Sequence, residues 1–289
     1  MLTDLIVSFA KLMPRGGYKL LALLSDFVPG LRHYPVILPI ARGRVTLKVN
    51  LANNVFFPLL KYGLYRHQIV EDFIIRVLLK DDDCVVDVGA NIGYVSLVCS
   101  QCVSDGVVYA FEPSAVTFEY LTQMAAQVRQ LRPYQLAISN SSGSVRFIDE
   151  ASSDTSHIAG NKDPRGYLVD CCTLDAWAST HNIERIDFLK IDAEGHDVQV
   201  IEGAGEVIRR HHPVIEFEAF TPNDVAQIAD TLQRLANTAD YKIFRAVNQY
   251  PFSVRLIELS TNNYFAISGR RLCDVPDFLF RRSFLVLNK

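Results

Sequence analysis

The chain has 289 residues, of which 49% are hydrophobic and 21% are charged, and its formal net charge is -3. A composition this apolar excludes a disordered chain. A slightly acidic chain has no general positive field to attract nucleic acid, so we expect no nucleic-acid partner. The six cysteines are too sparse for a disulfide scaffold and favour a reducing, cytoplasmic compartment.

Residues 1–40 are predicted to form an N-terminal helical extension. Apolar residues recur there at mostly helical spacing, on both sides of a break at residues 14–17. Neither apolar run reaches the roughly 20 residues of a membrane-spanning helix. Two amphipathic pieces around a basic turn are compatible with peripheral contact with the inner face of a membrane. The alternatives are packing on the same domain or on a second copy of the chain, as a homodimer.

The main domain is expected at residues 41–289, with a lead-in at 41–80 that combines a strand and a helix. Short strands then alternate with helical stretches. Strands are predicted at Cys84–Val88, Val107–Phe111, Gln135–Ile138, Phe188–Ile191, Val214–Phe217, Tyr241–Arg245 and Tyr264–Ile267. The pattern predicts a Rossmann-like α/β fold, with a mostly parallel seven-stranded sheet and helices on both faces. Ligands then belong beyond the carboxyl ends of the central strands.

The most specific motif runs from Val85 to Tyr94: an apolar strand that ends in Asp87, then a glycine-rich turn into a helix. Gly89 and Gly93 let the backbone turn tightly and approach a ligand, and Asn91 is expected to cap the helix. Because Asn91 replaces the second glycine of the dinucleotide fingerprint, the motif argues against a nicotinamide dehydrogenase. The acid points instead to a cationic or hydroxyl-rich ligand.

A second acid, Glu112, ends the next strand, 25 residues beyond Asp87. An acid at this place accepts hydrogen bonds from ribose hydroxyls in dinucleotide folds. Pro113 then begins the following helix. A glycine turn together with an acid at the end of the next strand predicts a cofactor that carries a nucleoside.

Six blocks resemble the FkbM-type methyltransferases in order and spacing, within about Tyr62 to Glu218. They are Asp87–Gly93, Ala110–Pro113, Leu136–Ser139, Thr173–Asp175, Lys190–Gly195 and Ile215–Glu218. The resemblance implies a class I methyltransferase sheet, S-adenosylmethionine as the methyl donor, and O-methylation of a hydroxyl on a sugar, glycan or secondary metabolite. It places the cofactor on Asp87, Gly89, Ala90, Asn91, Gly93, Glu112, Pro113, Ser139 and Asp192.

The catalytic candidates are Asp192, Lys190 and His157. Lys190 and Asp192 alternate along the end of a central strand, so they share one face. We expect Asp192 nearest the methyl group and the acceptor, as a base or an orienting group, with Lys190 as its partner charge. His157 lies on a polar loop and is the second candidate base.

The acceptor is expected to contact Glu194, His196, Glu216 and Glu218. Two alternatives stay open: Glu194 caps the next helix, or one of the two later glutamates only pairs with Arg209 or Arg210. Asp192 is a candidate metal ligand, but no second and third ligand is evident, so we expect no metal site.

Cys99 and Cys102 form a C-x-x-C pair, which suggests redox chemistry or half of a zinc site. No second pair follows, so core packing is the preferred interpretation. The function predicted is therefore a methyltransferase acting on a hydroxyl oxygen. The alternative is a catalytically silent cofactor-binding or scaffold module of a membrane-associated biosynthetic assembly.

Overall fold

The computed structural model describes residues 2–40, 43–65, 68–150, 156–158, 164–236, 241–248, 259–281 and 285–287. The N-terminal part contains a helical hairpin, a strand hairpin and two further helices. These elements are α1 (Leu2–Leu12), α2 (Gly17–Leu24), β1 (Tyr34–Ile40), β2 (Gly43–Val49), α3 (Phe56–Tyr62) and α4 (Ile69–Leu78).

The expected helical extension at 1–40 therefore needs correction, because its last seven residues form β1, which pairs antiparallel with β2. The expected boundary after residue 40 lies inside this hairpin. Pro35 and Pro39 do not prevent the strand, since β1 has one partner and a free edge, where a missing N–H is tolerated. Val36 and Leu38 are buried between them.

The main domain follows as alternating strands and helices. Its first half contains β3 (Cys84–Val88), α5 (Tyr94–Cys102), β4 (Val107–Phe111), α6 (Ala115–Ala125), β5 (Leu131–Tyr134), β6 (Ala137–Ile138), β7 (Gly143–Ile148), β8 (His157–Ile158) and β9 (Tyr167–Cys172). Its second half contains α7 (Leu174–Thr180), β10 (Phe188–Ile191), α8 (Asp197–Glu202), α9 (Gly205–His211), β11 (Val214–Glu218), α10 (Pro222–Ala236), β12 (Tyr241–Asn248), β13 (Leu259–Ser268), α11 (Asp277–Arg281) and β14 (Leu285–Leu287).

The large sheet has the order β14-β12-β13-β11-β10-β3-β4-β5. The strands from β11 to β5 are parallel, whereas β13 runs antiparallel between β11 and β12. The predicted α/β class with a mostly parallel sheet is confirmed. Within the described residues the sheet has eight strands instead of seven, because β14 adds to the β12 edge.

The strand predicted at Gln135–Ile138 is wrong in its bounds. The edge strand of the large sheet is β5, which contains Pro133, a residue that an edge position accepts. Ala137 and Ile138 instead pair with β9 in a separate four-stranded sheet of order β6-β9-β7-β8. This smaller sheet lies at the carboxyl end of β5 and supplies one wall of the site described below.

Side-chain alternation along the central strands builds a core on each face of the sheet. Val85 belongs to the cluster that includes Leu21 and Leu97, and Val86 belongs to the cluster that includes Trp177. The N-terminal helices and the β1–β2 hairpin thus share the core on the α5 face. None of the described helices is long and apolar enough to span a membrane.

Candidate active site

The glycine-rich turn after β3 is pressed against the end of β10. The amides of Gly89 and Ala90 both donate to the Phe111 carbonyl, at 3.0 and 2.9 Å. Gly89 has φ +73°, and a Cβ there would lie 1.8 Å from the Asp192 carbonyl oxygen. The missing side chain therefore makes room for the neighbouring strand.

The expectation that Asn91 caps α5 is wrong. Gly93, with φ 88°, is the N-cap residue of α5, and Asn91 has φ 50°. Asparagine tolerates this left-handed conformation better than most residues. A Cβ on Gly93 would lie 2.7 Å from Leu121 Cδ1, so this glycine permits contact between the turn and α6.

Glu112 lies one residue beyond β4, and its carboxylate is held by two backbone amides. Asn91 N donates to its Oε2 and Ser114 N to its Oε1, each at 2.9 Å. Burial raises the pKa of Glu112 to about 7, against the lowering effect of these two amides. A carboxylate has about four lone-pair sites, so both oxygens can still accept further hydrogen bonds.

Glu112 lines a cavity of about 560 Å³ at the carboxyl ends of β3, β4 and β10. We call it the cofactor cavity. Its walls come from the glycine turn, the end of β4, the smaller sheet and the segment after β10. The lining residues are Val88, Gly89, Asn91, Phe111, Glu112, Pro113, Leu136, Ala137, Ile138, Phe147, Ser156, Ile158, Asp192, Ala193 and Glu194.

A second cavity of about 750 Å³, the adjoining cavity, shares Gly89, Asn91, Asp192 and Glu194 with the first. Its remaining walls come from α5, Lys190 and the N-terminal lead-in. The further lining residues are Asn54, Val55, Pro58, Tyr65, Gln68, Ala90, Ile92, Tyr94, Val95 and Lys190. The lead-in residues of this wall were not predicted, because nothing in the local sequence marks a polar residue such as Gln68 as part of a distant site.

Two side-chain oxygens at the adjoining cavity, Gln68 Oε1 and Asn91 Oδ1, are buried and have no hydrogen-bond partner in the described part of the chain. An unsatisfied buried acceptor is costly unless a ligand or water supplies the donor. These two oxygens, together with Glu112, suit a ligand that carries an ammonium group and ribose hydroxyls. The residues present therefore fit S-adenosylmethionine.

A buried charge row, Asp87–Lys190–Glu216, crosses three adjacent strands in register. Lys190 Nζ lies 3.4 Å from Asp87 Oδ1 and 3.1 Å from Asp192 Oδ2. Burial alone would lower the pKa of Lys190, but Asp192, Asp87 and Glu216 raise it above its ordinary value. Lys190 is therefore a cation, and its partner charge at the cavity is Asp192, as predicted.

Asp87 lies away from both cavities. Its side chain is fully buried, lines neither cavity and accepts a hydrogen bond of 2.5 Å from Ser96 Oγ. The reason is its position inside β3, where the side chain points onto the sheet face beneath α5. Asp87 reaches the site only through Lys190, which corrects the expectation of direct cofactor contact.

Glu216 and Ser139 are also removed from the two cavities. Glu216 is 4% exposed and pairs in register with Lys190, so it lies behind the cavity wall and not on it. Burial raises the pKa of Glu216 well above its ordinary value. Ser139 Oγ lies 2.9 Å from His196 Nε2, so these two expected ligand contacts satisfy each other.

Three carboxylates meet beside the cavities. Oxygens of Asp192, Glu194 and Glu218 lie within 4.8 Å of one another. Glu194, with φ 47°, leaves the strand direction and does not cap α8, whose N-cap residue is His196. Burial, followed by the charge of Asp192, raises the pKa of Glu218 to about 7.

Glu194 and Glu218, both predicted site residues, are thus the acidic neighbours of Asp192. Oxygen ligands of this kind are those that hard divalent cations take, but Lys190 already offers Asp192 a positive charge. The absence of a metal site stays a prediction. Arg209 and Arg210 both pair with Glu206, so the described ion pairs do not connect them to Glu216 or Glu218.

His157 lies in β8, opposite Ile148. Its neighbours Ser156 and Ile158 line the cofactor cavity. His157 itself lines neither cavity, so its role as the second candidate base stays a prediction. Cys99 is fully buried in the core, as the packing interpretation predicted.

The fold and the site are those of a class I S-adenosylmethionine-dependent methyltransferase. The family model described as "Methyltransferase FkbM domain" matches residues 87–243, and the chain belongs to this family. S-adenosylmethionine is the methyl donor of the class, so the cofactor predicted from the sequence is confirmed.

Two curated relatives are methyltransferases of sugars or hydroxyl groups by name. The hexuronic acid methyltransferase AglP of Haloferax volcanii is 28% identical over 195 residues, which is 62% of this chain and 78% of AglP. The 2-O-methyltransferase NoeI of Sinorhizobium fredii is 23% identical over 154 residues, 47% of this chain and 63% of NoeI. The chain thus spans less than two thirds of NoeI.

Among solved structures, a methyltransferase FkbM from Methylobacillus flagellatus is similar with a TM-score of 0.47 and 15% identity. The similarity covers 90% of this chain and 58% of that one. A SAM-dependent O-methyltransferase from Thermotoga maritima has a TM-score of 0.43, with 81% and 77% covered.

Proposed function

We propose that this methyltransferase methylates a hydroxyl oxygen of a sugar, in a glycan or a glycosylated metabolite. The observation that carries the proposal is the position of Asp192, which lines both the cofactor cavity and the adjoining cavity. A carboxylate at that junction can receive the proton of a hydroxyl that approaches the methyl group. The names of the two curated relatives support a sugar as the acceptor.

On this proposal the cofactor cavity holds the nucleoside part of the methyl donor. Glu112 accepts hydrogen bonds from the ribose hydroxyls, and Pro113 lines the wall beside it. Gln68 Oε1 and Asn91 Oδ1 accept from the ammonium group, which satisfies two otherwise unpaired oxygens. Asp87 acts as a positioning residue, because it holds Lys190 from behind.

When bound, S-adenosylmethionine would supply a sulfonium methyl carbon to which a hydroxyl oxygen can bond as the carbon–sulfur bond breaks, with S-adenosylhomocysteine as the leaving group. The protein then has to align the oxygen, exclude water and accept the hydroxyl proton. Lys190 fixes Asp192 through its 3.1 Å hydrogen bond. Asp192 accepts the proton, and Glu218, with its pKa of about 7, can take it up at neutral pH.

The adjoining cavity offers the mixed surface that sugar recognition needs. Asn54, Gln68 and Tyr65 supply polar groups from the lead-in, and Val55 and Pro58 supply apolar contact. Pockets for small ligands combine apolar walls with a few placed polar groups in this way. It borders the cofactor cavity at Gly89, Asn91, Asp192 and Glu194, so an acceptor bound there would lie beside the methionine end of the cofactor.

The test is transfer of a labelled methyl group from S-adenosylmethionine to glycosides of neutral hexoses and of hexuronic acids. We expect a base-stable methyl ether on a sugar hydroxyl. The Asp192→Asn variant should lose at least about 100-fold in kcat while its cofactor affinity changes little.

A base-labile product would place the methyl group on a carboxylate as an ester and would overturn the hydroxyl proposal. Cofactor binding by the wild-type protein without transfer to any sugar would favour the silent scaffold module. Full activity of the Asp192→Asn variant would show that Asp192 does not accept the hydroxyl proton.

A further inference from the structure

An apolar stripe runs along the outer side of α1 and continues past the end of α2. Its members are large hydrophobic side chains, each between 61% and 82% exposed: Leu2, Leu5, Phe9, Leu12, Leu23 and Phe27. The spacing of the four on α1 puts them on one side of the helix. We call this set the N-terminal apolar face. Exposed apolar side chains grouped in this way mark an interaction surface more often than isolated ones do.

The two helices that carry this face form a closed hairpin. A Cβ on Gly30 would lie 2.6 Å from Thr3 Oγ1, so the chain after α2 returns to the first turn of α1. Leu23 and Phe27 therefore lie near the Leu2 end of the stripe. A Cβ on Gly17 would lie 2.3 Å from the Ala10 carbonyl oxygen, which shows how closely α1 and α2 pack.

The hairpin is fixed to the domain by its opposite side. Val7, Ala10 and Leu21 are buried in the core that also contains the β1–β2 hairpin. Lys61 Nζ donates to the Met13 carbonyl at 2.7 Å and ties the turn between the helices to α3. The helices that carry the N-terminal apolar face are thus packed on the domain core, and the apolar side chains of the face are exposed to solvent.

Exposed cations lie at the turn end of the hairpin that carries the face. Lys11, Arg15 and Lys19 are exposed and lie at the end of α1, in the turn and at the start of α2. Residues 2–33 contain four Lys or Arg and two Asp, in a chain whose net charge is -3. Asp26 is engaged by Arg32 at 2.5 Å. The local charge is therefore positive although the whole chain is acidic.

We propose that the N-terminal apolar face docks on an anionic lipid surface. The apolar side chains enter the boundary between headgroups and acyl chains, and the three cations meet the lipid phosphates and carboxylates. The described helices are too short to cross a membrane, so the contact is with one leaflet. A symmetric dimer through the same face is disfavoured, since a two-fold axis would bring the cations of one copy towards those of the other.

The test is flotation of the full chain with phosphatidylcholine vesicles, with and without phosphatidylserine. We expect binding to the anionic vesicles. The Leu5→Ser/Phe9→Ser variant should bind at least about tenfold more weakly, and Lys11→Gln/Lys19→Gln should lose the preference for phosphatidylserine. Leu168→Ser, which alters an exposed leucine of β9 away from the face, is the matched control and should bind as the wild-type chain does.

Binding of S-adenosylmethionine is measured on every variant, so that a folding defect or a failure of the proposed function is distinguished from loss of lipid binding. The proposal is overturned if the wild-type protein does not float with the vesicles, or if Leu5→Ser/Phe9→Ser floats as well as the wild-type protein does. A different outcome is a dimer in sedimentation that Leu5→Ser/Phe9→Ser abolishes, together with no vesicle binding by the wild-type protein. That outcome would overturn the lipid proposal and assign the N-terminal apolar face to a second copy of the chain.

Discussion

Asp87 and Glu112 come from similar sequence contexts, since each closes an apolar run just before a turn, yet they lie in opposite surroundings. Asp87 is inside β3 and pairs in register with Ala110 of β4. Glu112 lies two residues beyond Ala110, past the end of the sheet. Asp87 is fully buried against Lys190, whereas Glu112 lines the cofactor cavity. An offset of two positions thus decides whether an acid holds the sheet together or faces the ligand.

The same contrast holds for the groups around each acid. Asp87 belongs to the buried charge row with Lys190 and Glu216, in which the Lys190 cation pairs with the Asp87 carboxylate and burial raises the pKa of Glu216. Glu112 is held by backbone amides and needs no cation. We therefore expect changes in the row to affect folding first and changes at Glu112 to affect the cofactor first.

The largest effect is expected from Lys190→Met, which removes the cation of the row. The buried Asp87 carboxylate then loses its cation, which costs about 3 to 5 kcal/mol of unfolding free energy. Urea unfolding followed by circular dichroism measures the loss. The double variant Lys190→Met/Asp87→Asn should recover part of it, because the stranded carboxylate is gone. An unchanged unfolding free energy in the single variant would contradict a structural role for the row.

A smaller loss of unfolding free energy is expected from a substitution in the glycine turn. Gly89 and Gly195 form a matched pair for this test, because both have positive φ. At Gly89 an added Cβ would meet the Asp192 carbonyl, whereas at Gly195, with φ +87°, it would enter open space. Gly89→Ala should cost about 2 to 4 kcal/mol, and Gly195→Ala only about 1 kcal/mol. Thermal and urea unfolding of both variants check the difference. Equal costs would show that the turn is not pressed against β10.

The bounds of the central strands could be predicted from the sequence, but the register between these strands could not. The bounds of β3, β4 and β10 agree with the structure, because strands buried on both faces are continuous apolar runs between polar turns. The register that places Lys190 beside Asp87 and Glu216 depends on strands far apart in sequence. The burial of Asp87 and Glu216 was unpredictable for that reason.

The acceptor side was the least predictable part of the site. Glu112, Asn91 and Asp192 reach the cavities as expected, since each follows a recognisable strand end. The wall formed by Asn54 and Gln68 comes from the lead-in, which carries no motif. The smaller sheet was missed as well, because its β6 and β8 are only two residues long.

Glu112 should also give the cofactor affinity a pH dependence. Burial raises the pKa of the free carboxyl to about 7, while ribose donors favour its ionised form. Binding below that pKa must therefore release a proton, and affinity should rise with pH until about pH 7 and then level off. Calorimetry in buffers of different ionisation enthalpy measures the released proton. The Glu112→Gln variant should release none; equal release from both proteins would assign the proton elsewhere.

The smallest effect is expected from chelation. Lys190 supplies the charge that Asp192 faces, so dialysis against EDTA should leave methyl transfer unchanged. Addition of Mg²⁺ to the dialysed protein serves as the control. A loss of activity on dialysis that Mg²⁺ restores would contradict the prediction and would assign the Asp192, Glu194 and Glu218 carboxylates to a cation.

The central claim is that Glu112 and the two cavities hold S-adenosylmethionine, and calorimetric titration tests it most directly. The folded wild-type protein should bind S-adenosylmethionine and S-adenosylhomocysteine in the micromolar range. Glu112→Gln, shown to be folded by circular dichroism, should bind both about 10- to 100-fold more weakly, whereas Leu168→Ser should bind as the wild type does. Absence of binding by the wild-type protein, or undiminished binding by Glu112→Gln, would contradict the account.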